Sequence, residues 1–235
     1  MSDIPVITVD GPSGTGKGTI CIQLATRLHW HFLDSGAFYR TLALDALSTG
    51  IGLEDSQALH HLATHLDIAF KPDVNGTSVA ICLRNEEVSA DIRSEKCGNA
   101  ASKIAVYPLV RNGLLSRQRA FKRLPGLIAD GRDMGTVVFP EAQLKIYLTA
   151  SAEARAKRRY KQLKEQGFSV NLARLSAEIA ERDERDLQRS VSPLIPAAEA
   201  IIIDTTDVNR EEVDQQVMAL VRKTFPHTVG QLPIN

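Results

Sequence analysis

The sequence has no excess of charge of either sign, because 28 acidic residues balance its 28 lysines and arginines. Without a net field, the chain is not expected to attract nucleic acid or an anionic membrane, so any anion site must come from local clustering. Cysteine is scarce: Cys21, Cys82 and Cys97 are odd in number and lack the spacing of metal ligands. We therefore expect free thiols in a reducing compartment.

Long hydrophobic runs are also missing. No apolar stretch approaches the length of a membrane span, and residues 1–5 lack the basic and apolar regions of a signal peptide. The 235 residues are 43% hydrophobic and 24% charged, a globular composition able to bury a substantial core. These features predict a cytoplasmic protein that engages neither membrane nor nucleic acid.

Short apolar runs alternate with helical patterns along the chain. We predict buried strands at residues 6–10, 32–34, 127–130, 144–148 and 201–204. We predict helices from residue 17, over 39–47, over about 97–122, within 151–189 with an interruption near Gly167, and after Asn209. This alternation indicates an α/β fold, with a central parallel sheet covered by helices on both faces.

The segment from residue 66 to residue 92 departs from this alternation. Apolar runs at 66–70 and 78–83 flank Asn75-Gly76, a pair that tolerates positive φ and favours a hairpin turn. The pattern predicts a small antiparallel lobe inserted at about residues 65–92. At the other end of the chain, residues 226–235 are expected to form a loose tail.

A glycine-rich segment joins the first predicted strand to the first helix. It reads Gly11-Pro12-Ser13-Gly14-Thr15-Gly16-Lys17-Gly18-Thr19. Glycines let backbone N–H groups turn toward a phosphate, and the helix N-terminus adds partial positive charge. Lys17 is expected to follow the β- and γ-phosphates, so these nine residues form the predicted ATP site. A glycine-rich turn without a ligand is the alternative, which the strand–loop–helix context disfavours.

The loop departs from the usual P-loop at one position. Gly18 stands where a serine or threonine normally follows the lysine, and Thr19 comes one residue later. Mg²⁺ is therefore expected to be held mainly by phosphates and water, and we assign no protein ligand to it. An Asn-Lys-x-Asp guanine-reading motif does not occur in the chain, which disfavours a GTPase.

Two polar segments follow predicted strands on the acceptor side. In residues 34–40, Arg40 is suited to grip a phosphate, although a capping serine beside a packed tyrosine is equally compatible. Residues 130–135 follow an apolar strand, where ligands bind in open α/β sheets. There Arg132 and Asp133 could serve a phosphate and a base, with a surface ion pair as the alternative.

Taken together, these segments resemble bacterial cytidylate kinases, a family of nucleoside monophosphate kinases. The likeness is carried by residues 11–19, 33–40, 128–140, 167–171 and 182–186, in matching order between about Val6 and Asp204. It implies a P-loop NTPase-type three-layer sandwich with an acceptor-binding insert and a helical lid. The expected divisions are a core of about 1–64, 93–150 and 190–225, an insert of about 65–92 and a lid of about 151–189.

The resemblance further implies an activity and an acceptor site. The activity is ATP-dependent phosphorylation of CMP and dCMP by a monomer, with Mg²⁺ accompanying ATP. The implied acceptor residues are Ser35, Arg40, Ser102, Arg111, Arg132, Asp133, Arg182, Asp186 and Arg189. Of these, Ser102, Arg111 and Asp133 would read the cytosine. Uracil places a carbonyl where Asp133 expects the N4 donor, so Asp133 is the predicted discriminator.

The resemblance also assigns roles to individual lysine and arginine side chains. Those expected to act in the transfer are Lys17, Arg132, Arg182 and Arg189. Arg155, Arg158 and Arg159 lie three and four residues apart, which on spacing alone favours a solvated helix. The resemblance places them in the lid, and Arg155 and Arg159 are the expected contacts to ATP.

A basic stripe is predicted on a second helix. Arg182, Arg185 and Arg189 follow one another at intervals of three and four residues. Two of them are implied acceptor residues, whereas an ion-paired surface position remains open for Arg185.

Two other functions remain open at this point. One is another small-molecule kinase on the same scaffold, acting on UMP, AMP, dTMP or a non-nucleotide alcohol. The other is a non-catalytic, ATP-binding regulatory module. The combination of Lys17 with acceptor-side arginines disfavours the module, since a pure sensor needs no second phosphate site.

Overall fold

The computed structural model describes residues 4–72, 79–165, 167 and 169–229. Within these residues the strands are β1 (Val6–Asp10), β2 (His31–Asp34), β3 (Ile68–Pro72), β4 (Val79–Leu83), β5 (Glu86–Glu87), β6 (Leu127–Asp130), β7 (Leu144–Thr149) and β8 (Ile201–Asp204). The helices are α1 (Lys17–Leu28), α2 (Ser35–Thr49), α3 (Ser56–Thr64), α4 (Glu95–Ile104), α5 (Pro108–Arg119), α6 (Ala152–Glu165), α7 (Leu172–Leu187), α8 (Arg210–Thr224) and α9 (Pro226–Val229).

The central sheet has five parallel strands in the order β2-β6-β1-β7-β8. The strands predicted from apolar runs are all present in it. Asp34 pairs with Asp130 across β2 and β6, and Asp130 pairs with Val9 across β6 and β1. Because these strands are parallel, their carboxyl ends meet at one edge of the sheet, which is where ligands bind in such folds.

Helices cover both faces of this sheet, as predicted. Along β6, Leu127 and Ala129 belong to the apolar cluster formed with α2, α3, α4 and α5. Ile128 between them belongs to the second cluster, formed with α1 and α8. This alternation follows from the two-residue period of a strand, and it confirms the three-layer α/β sandwich.

A separate antiparallel sheet consists of β3, β4 and β5. Its first two strands confirm the predicted hairpin, with Ile68 paired to Leu83, whereas the expected Asn75-Gly76 turn lies outside the described residues. The strand β5 was not predicted because it has two acidic residues and no apolar period. Arg84 and Asn85, with φ of 49° and 69°, form the turn before it. That turn geometry normally signals itself by glycine or asparagine at both positions.

The helical stretch expected over about 97–122 is divided in two by the structure. α4 ends at Ile104 and α5 begins at Pro108. Proline has no N–H to donate and keeps the preceding residue extended, so it suits the first turn of a new helix. Tyr107 is extended accordingly, with φ −78° and ψ 121°. The helix α3 was not predicted.

The segment 151–189 is helical with the predicted interruption, since α6 ends at Glu165 and α7 begins at Leu172. The two helices share a small apolar cluster of their own, formed by Ala156, Leu163, Leu175 and Ile179. The segment therefore has its own packing besides its contacts with the core.

The C-terminal helix α8 follows Asn209, as predicted, and begins with a capping box. The Oδ1 atom of Asn209 accepts from the N–H of Glu212 at 3.0 Å, and the Glu212 carboxylate accepts from the N–H of Asn209 at 3.2 Å. Of the expected tail, Pro226–Val229 form a helical turn, and residues 230–235 lie outside the described part. Within the described residues, no helix combines the length and the apolar character that crossing a membrane requires.

Candidate active site

The glycine-rich loop of residues 11–19 connects β1 to α1 at the carboxyl edge of the sheet. Gly11 has a φ of +139°, and a Cβ there would lie 2.0 Å from the carbonyl oxygen of Leu148 in β7. Gly16, with a φ of +96°, directly precedes α1. Glycine is required at Gly11 by contact and at both positions by backbone conformation.

The N-terminus of α1 is open toward an anion. Gly16 provides no side-chain cap, and the first turn of the helix contains no acidic residue. The N–H groups of this turn have no partner further back in the helix, and they carry part of its positive dipole. Such a helix start can bind a phosphate through backbone donors.

Lys17 is the first residue of α1 and is 5% exposed. Its Nζ donates to the carbonyl oxygen of Pro12 at 2.7 Å. Burial, reinforced by the positive charge of Arg132, lowers the pKa of Lys17 to about 7. Burial also raises the pKa of Asp130 to about 6, against the opposing effect of Lys17. Such a lysine gains a proton readily when further negative charge approaches.

Asp10, the last residue of β1, fixes the turn that follows Asp133. Its Oδ1 accepts from the N–H of Met134 at 2.9 Å, and its Oδ2 accepts from the N–H of Gly135 at 2.8 Å. Burial raises the pKa of Asp10 to about 7, although these two hydrogen bonds oppose the shift. Asp10 was not expected at the site from the sequence, where the signal is an acidic residue closing an apolar strand.

A cavity of about 270 Å³ lies beside the carboxyl ends of β2 and β6. All nine of the implied acceptor residues line it: Ser35, Arg40, Ser102, Arg111, Arg132, Asp133, Arg182, Asp186 and Arg189. Lys17 also reaches this cavity, as do Asp34, Tyr39 and Asp130, which are not among the nine implied acceptor residues. The fold thus brings together residues that are spread over more than 150 positions of sequence.

Two carboxylates orient the arginines at one end of the cavity. The buried Asp186 accepts from Nε of Arg132 at 2.9 Å and from the guanidinium of Arg189. Asp34 accepts from the guanidinium of Arg40 at 2.8 Å. Each of these guanidinium groups is held by a hydrogen bond to a carboxylate. Because the guanidinium is planar and rigid, this bond also fixes the directions in which its other N–H groups point.

The arginines outnumber the carboxylates that neutralise them. Burial lowers the pKa of Arg182 to about 9, and the charges of Arg132 and Arg40 act in the same direction. Burial, together with Arg111 and Arg132, lowers the pKa of Arg189 to about 10. The Nε atoms of Arg182 and Arg189 are buried without a hydrogen-bond partner among the described residues. A doubly charged phosphate is the kind of ligand that would relieve this repulsion.

The other end of the cavity holds a buried ion pair. The guanidinium of Arg111 donates to Oδ2 of Asp133, and their side chains are only 8% and 4% exposed. Arg111 also lies 5.6 Å from the ring centre of Tyr39. Burying two charges is costly, which makes the pair a functional candidate more than a source of stability. A carboxylate has two oxygens, so pairing of Oδ2 leaves Oδ1 able to accept from a ligand.

A second cavity, of about 1230 Å³, lies on the other side of the loop. It is lined by residues 13–16 and Thr19 of the glycine-rich segment, and its remaining walls include parts of α6 and α7. The two cavities share Ser13, Arg40 and Arg182. A group that passes from one cavity to the other would therefore pass beside these two arginines.

Only one of the two arginines expected to contact ATP lines the larger cavity. Arg159 does so, with its guanidinium paired to Glu95 of α4 at 2.5 Å. Arg155 instead lies behind the loop, where it donates to the carbonyl of Ser13 at 3.2 Å and pairs with Asp183 of α7 at 2.5 Å. In this conformation Arg155 supports the loop without lining the cavity.

Arg158 lines the larger cavity although the sequence did not single it out for ATP. Its guanidinium donates to the hydroxyl of Thr205 at 3.1 Å and also to the carbonyl of that residue. While it accepts from Arg158, the hydroxyl of Thr205 lies 3.2 Å from the carbonyl oxygen of Thr15 and 3.1 Å from that of Thr149, and its one hydrogen can be donated to either. Donation to Thr15 connects α6 to the glycine-rich loop. Spacing along a helix shows that arginines share a face, but not which face meets a cavity.

The sequence was compared with models of known protein families and with known proteins. The model of the family described as "Cytidylate kinase" matches residues 7–223. The chain belongs to the cytidylate kinase family. A cytidylate kinase of Shewanella loihica is 54% identical over 225 residues, covering 96% of this chain and 97% of the relative. One of Aeromonas hydrophila is 58% identical over 215 residues, covering 92% and 93%.

A third cytidylate kinase, from Klebsiella pneumoniae, is 54% identical over 222 residues, covering 94% of this chain and 97% of the relative. The family membership expected from the motifs is thus confirmed. The match to the family model continues to residue 223, beyond the motif-bearing part that ended near Asp204.

Proposed function

We propose that this protein catalyses the ATP-dependent phosphorylation of CMP and dCMP, producing ADP and CDP or dCDP. The observation that carries the proposal is the smaller cavity, where a cluster of arginines and the buried Arg111–Asp133 ion pair lie beside the glycine-rich loop. Membership of the cytidylate kinase family supports the same activity.

The base is proposed to bind against Ser102, Arg111 and Asp133. Cytosine offers an amino donor at N4 and acceptors at N3 and O2. A carboxylate accepts from N4, while arginine or serine donates to the acceptors. The acceptor phosphate then extends toward Arg40, Arg132 and the other arginines of that end. This orientation directs the phosphate to the junction with the larger cavity, where ATP would bind.

The proposed reaction is a direct in-line transfer. A phosphate oxygen of CMP attacks the γ-phosphorus of ATP, and the bond to the bridging oxygen of ADP breaks. A general base is unnecessary, because the acceptor phosphate has a second pKa near 6 and is largely ionised at neutral pH. What the protein supplies is positioning and compensation of charge by Lys17 and the arginines. Arg182 lines both cavities and is suited to contact both phosphates.

Magnesium is proposed to accompany ATP. Mg²⁺ takes oxygen ligands and usually keeps several waters, and bound to the phosphates it would neutralise charge on the transferred group. The side chains present fit such an ion. An oxygen of Asp130 lies 3.4 Å from where a Cβ on Gly18 would stand, so a carboxylate lies beside the position where a P-loop usually has its hydroxyl. Asp130 would hold the ion directly or through its waters.

Closure over the two nucleotides is the proposed role of residues 151–189 and of the lobe at about 65–92. Water competes with CMP as an acceptor, and a closed site excludes it. The α6–α7 pair packs around its own apolar cluster, which suits a segment that moves as a unit.

Replacement of Arg159 by alanine is expected to lower kcat by roughly 10-fold to 100-fold, with a smaller effect on KM for CMP. The reason is that Arg159 lines the larger cavity and would contact the phosphates of ATP in the transition state. Steady-state kinetics with each substrate varied would measure the effect.

The matched control is Lys157→Ala on the same helix, where the lysine is 63% exposed and paired with Glu153. Its kcat should stay at the wild-type value. A different effect is expected for Arg155→Ala. This variant should have a lower melting temperature than the wild type, because Asp183 loses the cation with which it is paired. Wild-type turnover in the Arg155/Arg159 double alanine variant would remove both residues from catalysis.

The direct test of the proposed function is ADP formation from MgATP with CMP, dCMP, UMP, AMP and dTMP in parallel. High activity is expected with CMP and dCMP only. A preference for another nucleotide would support the proposed kinase activity but refute the proposed recognition of cytosine. ATP binding without transfer to any of the five would favour a regulatory module instead.

A further inference from the structure

Arg185 does not line the smaller cavity, but it contacts a residue that does. It lies on α7, where its guanidinium pairs with Glu181 one turn earlier. Its Nε donates to Oγ of Ser102 on α4 at 3.2 Å. Ser102 is 4% exposed and lines the cavity. The ion-paired surface position left open for Arg185 therefore describes only part of its environment.

The direction of this hydrogen bond has a chemical consequence. A guanidinium has donors and no acceptor, so the oxygen of Ser102 must accept from Arg185. The hydroxyl of Ser102 then keeps its hydrogen and one lone pair to interact with a ligand. A charged donor also polarises the hydroxyl, which makes it a better donor and a poorer acceptor. Without this contact a helical serine can turn its hydroxyl back toward the carbonyl of the preceding turn.

We propose that Arg185 is a positioning residue that holds the Ser102 hydroxyl as a donor to N3 of the cytosine ring. This inference rests on the proposed function, since it requires the base to lie against Ser102, Arg111 and Asp133. N3 of cytosine accepts a hydrogen bond, whereas N3–H of uracil donates one. A hydroxyl fixed as a donor would face that hydrogen, so Arg185 adds to the preference for cytosine that Asp133 provides.

The contact also joins two parts of the molecule. Ser102 belongs to α4, which packs on the core beside α2, and Arg185 belongs to α7 of the proposed lid. Arg182, one turn before Arg185, lines both cavities. Reading of the base is thereby connected to the helix that carries a phosphate-binding arginine.

The test is a double-mutant cycle on base selectivity with Arg185→Ala, Ser102→Ala and the double variant. Arg185→Ala should raise KM for CMP about tenfold, with kcat and KM for ATP near wild type, because the Ser102 hydroxyl is no longer held as a donor to the base. The ratio of kcat/KM for CMP to that for UMP should fall about tenfold as well. In the double variant these values should match Ser102→Ala alone, since Arg185 acts through Ser102.

The control is Arg174→Ala on the same helix, which breaks a comparable ion pair with Glu178, four residues away. Its side chain is 82% exposed and contacts neither cavity, so CMP:UMP selectivity should not change. If Arg185→Ala lowers the melting temperature too far to assay, Arg185→Gln removes the charge while keeping a donor. The same cycle then applies, with a smaller loss of selectivity.

The inference is overturned if the two substitutions multiply in the double variant, or if Arg185→Ala changes the CMP:UMP ratio no more than Arg174→Ala does. Either result, with a wild type active on CMP, leaves the proposed function intact. A wild type inactive on CMP would instead refute the proposed function itself.

Discussion

Lys17→Met is expected to reduce kcat by about 10²-fold to 10³-fold, the scale typical for loss of one preorganised charge-stabilising group. Lys17 is the only cation among residues 11–19, and it lines the cavity in which the acceptor is proposed to bind. Positive charge at this place compensates the oxygens of the transferred phosphoryl group. CMP binding, measured by titration calorimetry, should change far less than turnover.

The same substitution should abolish a proton uptake that accompanies ATP binding. The pKa of Lys17 is lowered to about 7 from its ordinary value of 10.5, so at pH 8 most molecules carry a neutral lysine. A bound triphosphate raises this pKa, and a raised pKa at fixed pH means that the protein takes up a proton. Calorimetry at pH 8 in buffers of different ionisation enthalpy should report uptake approaching one proton in the wild type.

The matched control for Lys17 is Arg27→Met in the last turn of the same helix. Arg27 is partly exposed and pairs with Asp214 at 2.6 Å, away from both cavities. This variant should keep the turnover and the proton uptake of the wild type. Equal kcat in Lys17→Met and wild type, with both folded, would exclude Lys17 from the transfer.

Local signals in the sequence were sufficient for the parts of the site that the chain forms locally. Gly11 and Gly16 occupy positions where the backbone conformation requires glycine, so the glycines in the sequence are sufficient to predict the loop. Asp34 and Asp130 each end an apolar strand, and parallel strands bring such ends to one edge. The two aspartates lie side by side because β2 and β6 are neighbours, and the sequence did not predict this strand order.

Contacts between side chains that are far apart in the sequence could not be predicted from local signals. Arg155 was expected in the ATP site, but Asp183, 28 residues later, holds it against the carbonyl of Ser13. The link between Arg185 and Ser102 spans 83 residues and depends on how α7 packs on α4. A helical spacing defines a face of the helix, and only tertiary packing decides what that face meets.

The acceptor residues were obtained from the family resemblance more than from physical patterns. Ser102 and Arg111 lie in helices without any local sign of a ligand, and the sequence pattern does not separate α4 from α5. Their common cavity with Asp133 is a finding of the structure. The buried pair of Arg111 and Asp133 supplies the physical argument that the sequence lacked.

Asp133→Asn is expected to shift the preference from CMP toward UMP, lowering the ratio of their kcat/KM values by about 10²-fold or more. The asparagine oxygen can still accept from Arg111, while its amino group meets the C4 carbonyl of uracil and opposes the amino group of cytosine. Asp133→Ala should lose activity on CMP without gaining activity on UMP, because it offers neither group. Steady-state kinetics of both variants with the two nucleotides would measure these changes.

The control for Asp133 is Asp45→Asn, which also neutralises a buried, ion-paired carboxylate. Asp45 is 1% exposed, pairs with Arg84 at 2.8 Å and lies outside both cavities. Its variant reports the general cost of such a change in the melting temperature, with CMP:UMP selectivity intact. If Asp133→Asn folds as well as this control and keeps the wild-type ratio, discrimination at the C4 position of the base does not lie with Asp133. Discrimination would then have to come from N3, where Ser102 and Arg185 are proposed to act, because O2 is an acceptor in both bases.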